Sequence, residues 1–168
     1  NFEKMVQHVI GEKIDMRIDL KKGAPLIKAD STQLNQILLN LVVNAREAMA
    51  NGGKLNIATN SLFIDERNVP LFRNVPRGRY AMLSITDTGV GMDKEMLAKM
   101  YEPFFTTKTH GTGLGLSVVY GIVKQHGGFI DVYSHPGLGT TFKVYFPCAD
   151  EKSDAVQQDQ IEVKTGSE

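Results

Sequence analysis

DTGVGMDKEMLAKMYEPFFTTKTHGTGLGLS, residues 87–117, is the stretch on which the fold turns. Two glycine clusters, Gly89/Gly91 and Gly111/Gly113/Gly115, frame a short helical pattern and an aromatic pair, Phe104 and Phe105. Ahead of the first cluster, Ala81, Leu83, Ile85 and Asp87 share one face of an apolar strand, so a carboxylate points where the core residues point. Inward acids are rare without a partner. The plainer reading is an Asx-type turn acid before Gly89. Behind the second cluster, Leu116, Val119, Tyr120 and Val123 share a face of a helix that runs from Gly113 or Leu114 to about Gln125 and stops at His126-Gly127-Gly128. Between the clusters, Asp93 caps a helix over Lys94 to Tyr101 and Pro103 ends it.

Upstream of this stretch, Phe2, Met5, Val6 and Val9 have helical spacing, as in the last turns of a helix that begins earlier. Lys13 to Leu20 alternates, with Ile14, Met16, Ile18 and Leu20 on one face of a half-buried strand. Leu26 to Ala29 is a brief strand or extended piece. Asp30 or Ser31 caps a long helix, with Gln33 placed as in a capping box. Its core stripe is Leu34, Ile37, Leu38, Leu41, Ala45, Ala48 and Met49, and Asn51-Gly52-Gly53 stops it. Asn40 and Asn44 leave the same flank of that helix. Asparagine is a mediocre helix former, so two at the core margin imply either a polar task or a pair of solvated amides. Lys54 to Ser61 reads as a strand, and Leu62 to Arg79, with Pro70 and Pro76, as a long hairpin connection. Downstream, Phe129 to His135 and Thr140 to Phe146 are strands joined through Pro136-Gly137-Leu138-Gly139. Thr140, Phe142, Val144 and Phe146 share a face. This order predicts an α+β fold, an α/β sandwich whose mixed sheet carries about three helices on one face.

The 168 residues, 42% hydrophobic, suffice for one domain with its own core. Lys plus Arg (19) balances Asp plus Glu (19), which lacks the basic footprint of a nucleic-acid binder. The single cysteine, Cys148, excludes an internal disulfide and a cysteine-built zinc site. No apolar run reaches the length of a membrane span, and no signal-peptide pattern opens the chain. The expected division is 1–11 as the end of a linker or upstream helix, 12–147 as the folded domain, and 148–168 as a disordered polar tail.

Glycines before a helix N-terminus leave main-chain N–H groups and a positive dipole end that suit a polyphosphate. The spacing is neither that of a Walker loop nor of a dinucleotide fingerprint, and kinase glycine-loop partners are missing. An inward carboxylate accepts hydrogen bonds and donates none, which suits the exocyclic amine of adenine. Thr140 adds a small inward hydroxyl, and the two helix amides could hold magnesium, a cation that takes few protein ligands.

Together these motifs resemble the ATP-binding catalytic domain of a two-component sensor histidine kinase, in the superfamily shared with gyrase, the ninety-kilodalton heat-shock chaperone and mismatch-repair ATPases. NLVVNAREAM resembles the N box, DTGVGMD the first glycine box, EPFFTT the F box, GTGLGLS the second glycine box and GLGTTF the last adenine-side motif. The resemblance covers roughly Glu12 to Pro147 and implies a Bergerat fold that binds ATP and Mg2+. It implies that Asp87 bonds the adenine amine and that Thr140 supports the base through water. Gly89, Gly91 and Met92 line the base. Asn44 would coordinate magnesium with Asn40 beside it, and Asn40, Asn44, Glu47 and Ala48 would all contribute to nucleotide binding from the same helix. Thr107, Lys108, Gly111, Thr112, Gly113, Leu114, Gly115 and Leu116 would hold the phosphates, within a lid from about Leu97 to Thr112. Phe104 and Phe105 would anchor that lid or meet a partner domain. Asn40, Asn44 and Lys108 form the implied catalytic set.

Two positions depart from the pattern. Hydrolytic members carry a glutamate as general base where Asn40 stands, and an amide cannot take a proton, which favours phosphoryl transfer over hydrolysis. Many sensor kinases have a basic residue three positions after the magnesium asparagine, where Glu47 stands, leaving Arg46, Lys108 and His110 to neutralise the γ-phosphate. None of His8, His110, His126 and His135 has the helical, acid-flanked setting of a phosphoacceptor. The implied partners are therefore a histidine-bearing dimerisation domain of the same full-length protein and a response-regulator receiver domain. The fragment itself is expected to be monomeric and cytoplasmic, with membrane anchoring of the full-length bacterial protein left open. A hydrolytic ATPase of the same superfamily and a non-catalytic nucleotide-binding regulatory module are the alternatives.

Overall fold

The computed structural model describes residues 2–22, 27–68, 75–105 and 113–149. Five strands form one sheet in the order β1-β2-β3-β5-β4, where β1 is Ile14–Asp19, β2 Gly53–Ile64, β3 Gly78–Asp87, β4 Phe129–His135 and β5 Gly139–Pro147. Four helices accompany them among the described residues: α1 (Phe2–Ile10), α2 (Ser31–Ala48), α3 (Lys94–Lys99) and α4 (Gly115–Gln125). Only β1 and β2 pair in parallel. A parallel pair needs a long crossover, and α2 supplies it.

The sheet is covered on one face, as expected of the α+β sandwich. Leu55, Ile57, Ile85, Phe142 and Val144 from the strands meet Ile37, Leu41, Val42 and Ala45 of α2 and Val119, Ile122 and Val123 of α4 in one core. α1 packs on α2 and buries Val6 and Ile10 there. The opposite face carries a smaller cluster of Ile64, Tyr80, Phe129 and Tyr145. Phe129 and Tyr145 stack at 4.3 Å between ring centroids.

That second cluster explains why β2 runs three residues beyond the end that alternation suggests. Its buried positions are Leu55 and Ile57 on the helix face, then Ile64 on the other. A single alternation template ends where burial changes face. Leu20, expected inward with Ile14, is 53% exposed, because β1 ends at Asp19 on the sheet edge. The long helix starts as expected at Asp30, but through a bond from the Thr32 amide to Asp30 Oδ1 at 2.8 Å. Asp93 caps α3 by accepting from the Met96 amide at 2.9 Å. His126 closes α4, with Nδ1 2.7 Å from the Ile122 carbonyl oxygen. The Tyr101 and Tyr120 rings, 4.9 Å apart, tie the exit of α3 to α4.

Candidate functional site

Asp87 ends β3 on the helix face, in register with Thr140 at the start of β5. It is 4% exposed, so the inward orientation expected from alternation holds. The turn reading holds as well, since Asp87 Oδ1 accepts from the Gly89 amide at 2.9 Å. Burial pushes its carboxyl above the ordinary carboxylate range, and the main-chain N–H groups of Gly89 and Thr140 pull the other way. Desolvation dominates, so this acid is held at a cost that an ordinary turn residue does not carry.

Three glycines beside it are places of close backbone approach. A Cβ on Gly89 would stand 2.6 Å from the Ala48 carbonyl oxygen of α2, and the Val90 amide donates to that oxygen at 3.1 Å. Gly91, at φ 70°, lies against the His135 carbonyl with no room for a side chain. Gly139, at φ 90°, lies equally close to the Asp87 carbonyl. The first glycine loop is thereby wedged between the end of α2 and the β4–β5 turn, where Gly137 donates to the Val90 carbonyl at 2.7 Å.

On α2, Asn40, Asn44 and Ala48 are all half-buried and follow one another at four-residue intervals. Ala48 meets the first glycine loop. Asn40 reaches the second cluster, its Nδ2 donating to the Gly115 carbonyl at 3.4 Å. One helix flank therefore touches both glycine motifs. Glu47 is exposed. Arg46, two residues or about 200° of helix past Asn44, donates to the Val9 carbonyl of α1 at 3.0 Å. It lines a cavity of about 360 Å³ with Ile10, Lys13 and Met49. That placement takes Arg46 off the Asn40–Asn44 flank and removes it as a neutralising group for a phosphate there.

Of the implied phosphate residues, Gly113, Leu114, Gly115 and Leu116 stand at the start of α4. Thr107, Lys108, His110, Gly111 and Thr112 lie outside the described residues. The Phe104 amide donates to the Gly113 carbonyl at 3.0 Å, and Gly113 packs on the Phe104 backbone with φ 71°. Phe104 itself adopts φ 68°, rare for a bulky residue, and is 74% exposed. Phe105 is half-buried.

Sequence reasoning passed over Ser134, whose hydroxyl is 2.8 Å from Thr140 Oγ1 and accepts from the Met92 amide at 2.8 Å. The signal was the one that marked Asp87, a polar residue closing an otherwise apolar inward face, here after Ile130 and Val132.

Residues 29–150 match the family described as histidine kinase-, DNA gyrase B-, and HSP90-like ATPase. The chain is 39% identical over 169 residues to the sensor kinase CckA of Brucella abortus, covering 96% of this chain and 18% of that protein. It is 36% identical to sporulation kinase E of Bacillus subtilis, over 80% of this chain and 16% of that one. Among solved structures, the catalytic domain of the histidine kinase ThkA in a nucleotide-free form superposes with a TM-score of 0.66 at 30% identity, covering 88% of this chain and 85% of that one. The chain thus spans less than a fifth of the two curated relatives named. Buried acid, wedged glycines and matched sequence agree: the chain belongs to the histidine kinase-, gyrase B- and HSP90-like ATPase family, as a catalytic ATP-binding domain of the sensor histidine kinase kind.

Proposed function

We propose that this domain binds Mg–ATP between α2, the first glycine loop and the start of α4. It then transfers the γ-phosphoryl group to a histidine on a separate dimerisation domain of the full-length protein. Onward transfer would go to the aspartate of a response-regulator receiver domain. The carrying observation is Asp87, a buried acceptor whose donors among the described residues are main-chain amides, with Thr140 beside it. A desolvated carboxylate of this kind recognises the adenine amine. Gly89, Gly91 and Met92 let the backbone approach the base, and the residues 107–108 and 111–116 grip the phosphates.

Magnesium, when bound, neutralises charge on the phosphates. Asn44 would hold it, with Asn40 beside it. Among the described residues no group of three or more His, Cys, Asp or Glu gathers, which fits a cation that takes one protein amide and otherwise phosphate and water oxygens. Asn40, with its nitrogen turned to Gly115, has no basic site to take a proton from water. That supports transfer over hydrolysis, with catalysis resting on positioning and charge neutralisation, and Lys108 as the neutralising cation. No described helix is long and apolar enough to cross a membrane; we place the domain on the cytoplasmic side, where ATP and a receiver domain are available.

The test is the affinity of a non-hydrolysable ATP analogue for Asp87→Asn. Loss of a bond to a charged acceptor should weaken binding by about 10- to 100-fold, and undiminished affinity rejects the assignment. For Asn44→Ala, an unchanged magnesium requirement rejects the metal role.

A further inference from the structure

The inward face of β4 ends in a hydroxyl, Ser134, 8% exposed. Its Oγ lies 2.8 Å from the Met92 amide nitrogen, 3.1 Å from the Gly139 carbonyl oxygen and 2.8 Å from Thr140 Oγ1. A hydroxyl has one proton and two lone pairs. The Met92 amide can only donate, so it takes one lone pair. The Gly139 carbonyl can only accept, so it takes the proton. One lone pair remains on Ser134, and the Thr140 hydroxyl fills it by donating. With its proton committed, Thr140 Oγ1 offers only lone pairs to a ligand. Asp87, its register partner, is an acceptor too.

We propose that Ser134 is a positioning residue for base recognition: it locks the Thr140 hydroxyl as an acceptor beside Asp87 and ties the first glycine loop to the β4–β5 hairpin through Met92. Paired acceptors facing C6 suit the two protons of an amine there and oppose a carbonyl held in the same pose, so Ser134 contributes to the preference for adenine over guanine bound that way. Once Ser134 is removed, Thr140 regains a free proton, can turn it outward, and gives a C6 carbonyl a partner. This inference rests on the ATP-binding reading above.

The experiment is calorimetric titration of the folded domain with non-hydrolysable ATP and GTP analogues. The proteins are wild type, Ser134→Ala, Ser134→Thr, Thr140→Ala and the Ser134→Ala/Thr140→Ala double variant. Ser134→Ala should lose about tenfold in ATP-analogue affinity and about fivefold in the ATP-to-GTP ratio. Ser134→Thr, which keeps the hydroxyl, should stay within about twofold of wild type in that ratio. In the Thr140→Ala background Ser134→Ala should cost almost nothing further, because the two act as one unit. If Ser134→Ala lowers thermal stability but leaves the ratio unchanged, or if the two substitutions add, the inference is overturned and Ser134 is merely structural. Should the alanine variant not fold, Ser134→Cys replaces it under the same criteria. Wild-type protein that binds neither analogue overturns the nucleotide reading itself and this inference with it, a result visible before any variant is made.

Discussion

Asp87 is asked to be two things at once. Its desolvation destabilises the folded chain when it is ionised, and the same desolvation strengthens its bond to a ligand donor. The two demands respond to acid in opposite directions. As pH falls through the raised pKa, the carboxyl gains a proton and presents a donor where the adenine amine needs an acceptor. ATP-analogue affinity should therefore decline on acidification, starting above the ordinary carboxylate value of about 4. Folding stability moves the other way. The folded state holds the proton more tightly than the unfolded one, so this residue's favourable contribution is fully present below the ordinary pKa. It is lost as pH rises through the raised one. Titrations of analogue affinity and melting temperature against pH, in wild type and Asp87→Asn, should show each slope steeper in the former than in the latter, the difference being the part Asp87 supplies. An identical affinity profile in the two proteins would remove Asp87 from the site.

At the scale of elements, the site depends on three segments held together by backbone approach, with Ser134 as a side-chain tie between two of them. The first glycine loop touches the Ala48 carbonyl of α2 on one side and the His135 carbonyl of the β4–β5 turn on the other. Gly91 is the tightest point, since it combines φ 70° with a carbonyl where a Cβ would go. Gly91→Ala adds both left-handed strain and an overlap, each costing about 1–3 kcal/mol. It should lower the melting temperature by several degrees and weaken ATP-analogue binding at least tenfold, about 1.4 kcal/mol. Gly137→Ala is the control: Gly137 has φ 79° but open space around it, so it should lose stability while nearly keeping affinity. Equal affinity losses in the two variants would show that backbone strain alone, and not the wedge, sets the loop. Ser134 belongs to the same assembly, since it bonds Met92 of that loop and Gly139 of that hairpin.

At the scale of the whole molecule, among the described residues one sheet carries helices on its covered face, and there α2 reaches both glycine motifs, Asn40 bonding the Gly115 carbonyl and Ala48 meeting Gly89. None of His8, His110, His126 and His135 has the helical, acid-flanked sequence setting of a phosphoacceptor. The isolated domain should therefore bind ATP yet incorporate no phosphate from γ-labelled ATP. Labelling should appear only on a separately supplied helical dimerisation domain from the same full-length protein, and only while its acceptor histidine is intact. Steady release of inorganic phosphate by the domain alone would instead favour the hydrolytic reading, and would require a base other than Asn40.

Composition and pattern alone determined most of the architecture. Alternation placed Asp87 and Thr140 on the covered face, the 3.6-residue period marked α2 and α4, and glycine spacing marked the loops between them. These features are local: each depends on a few neighbouring residues and on backbone geometry that does not change with context. The tertiary structure decided what those signals could not reach. β2 changes its buried face only because Tyr80, Phe129 and Tyr145 gather behind it, from three other strands. Arg46 looks available in the sequence and is engaged by the end of α1. Alternation marks Ser134 as inward, but its partners Thr140 and Met92 meet it only when β4 lies beside β5 and the loop after β3 reaches them. The reason is the same in each case: which partner a polar group finds depends on distances across the chain, and pairing over dozens of residues leaves no periodic mark in the sequence.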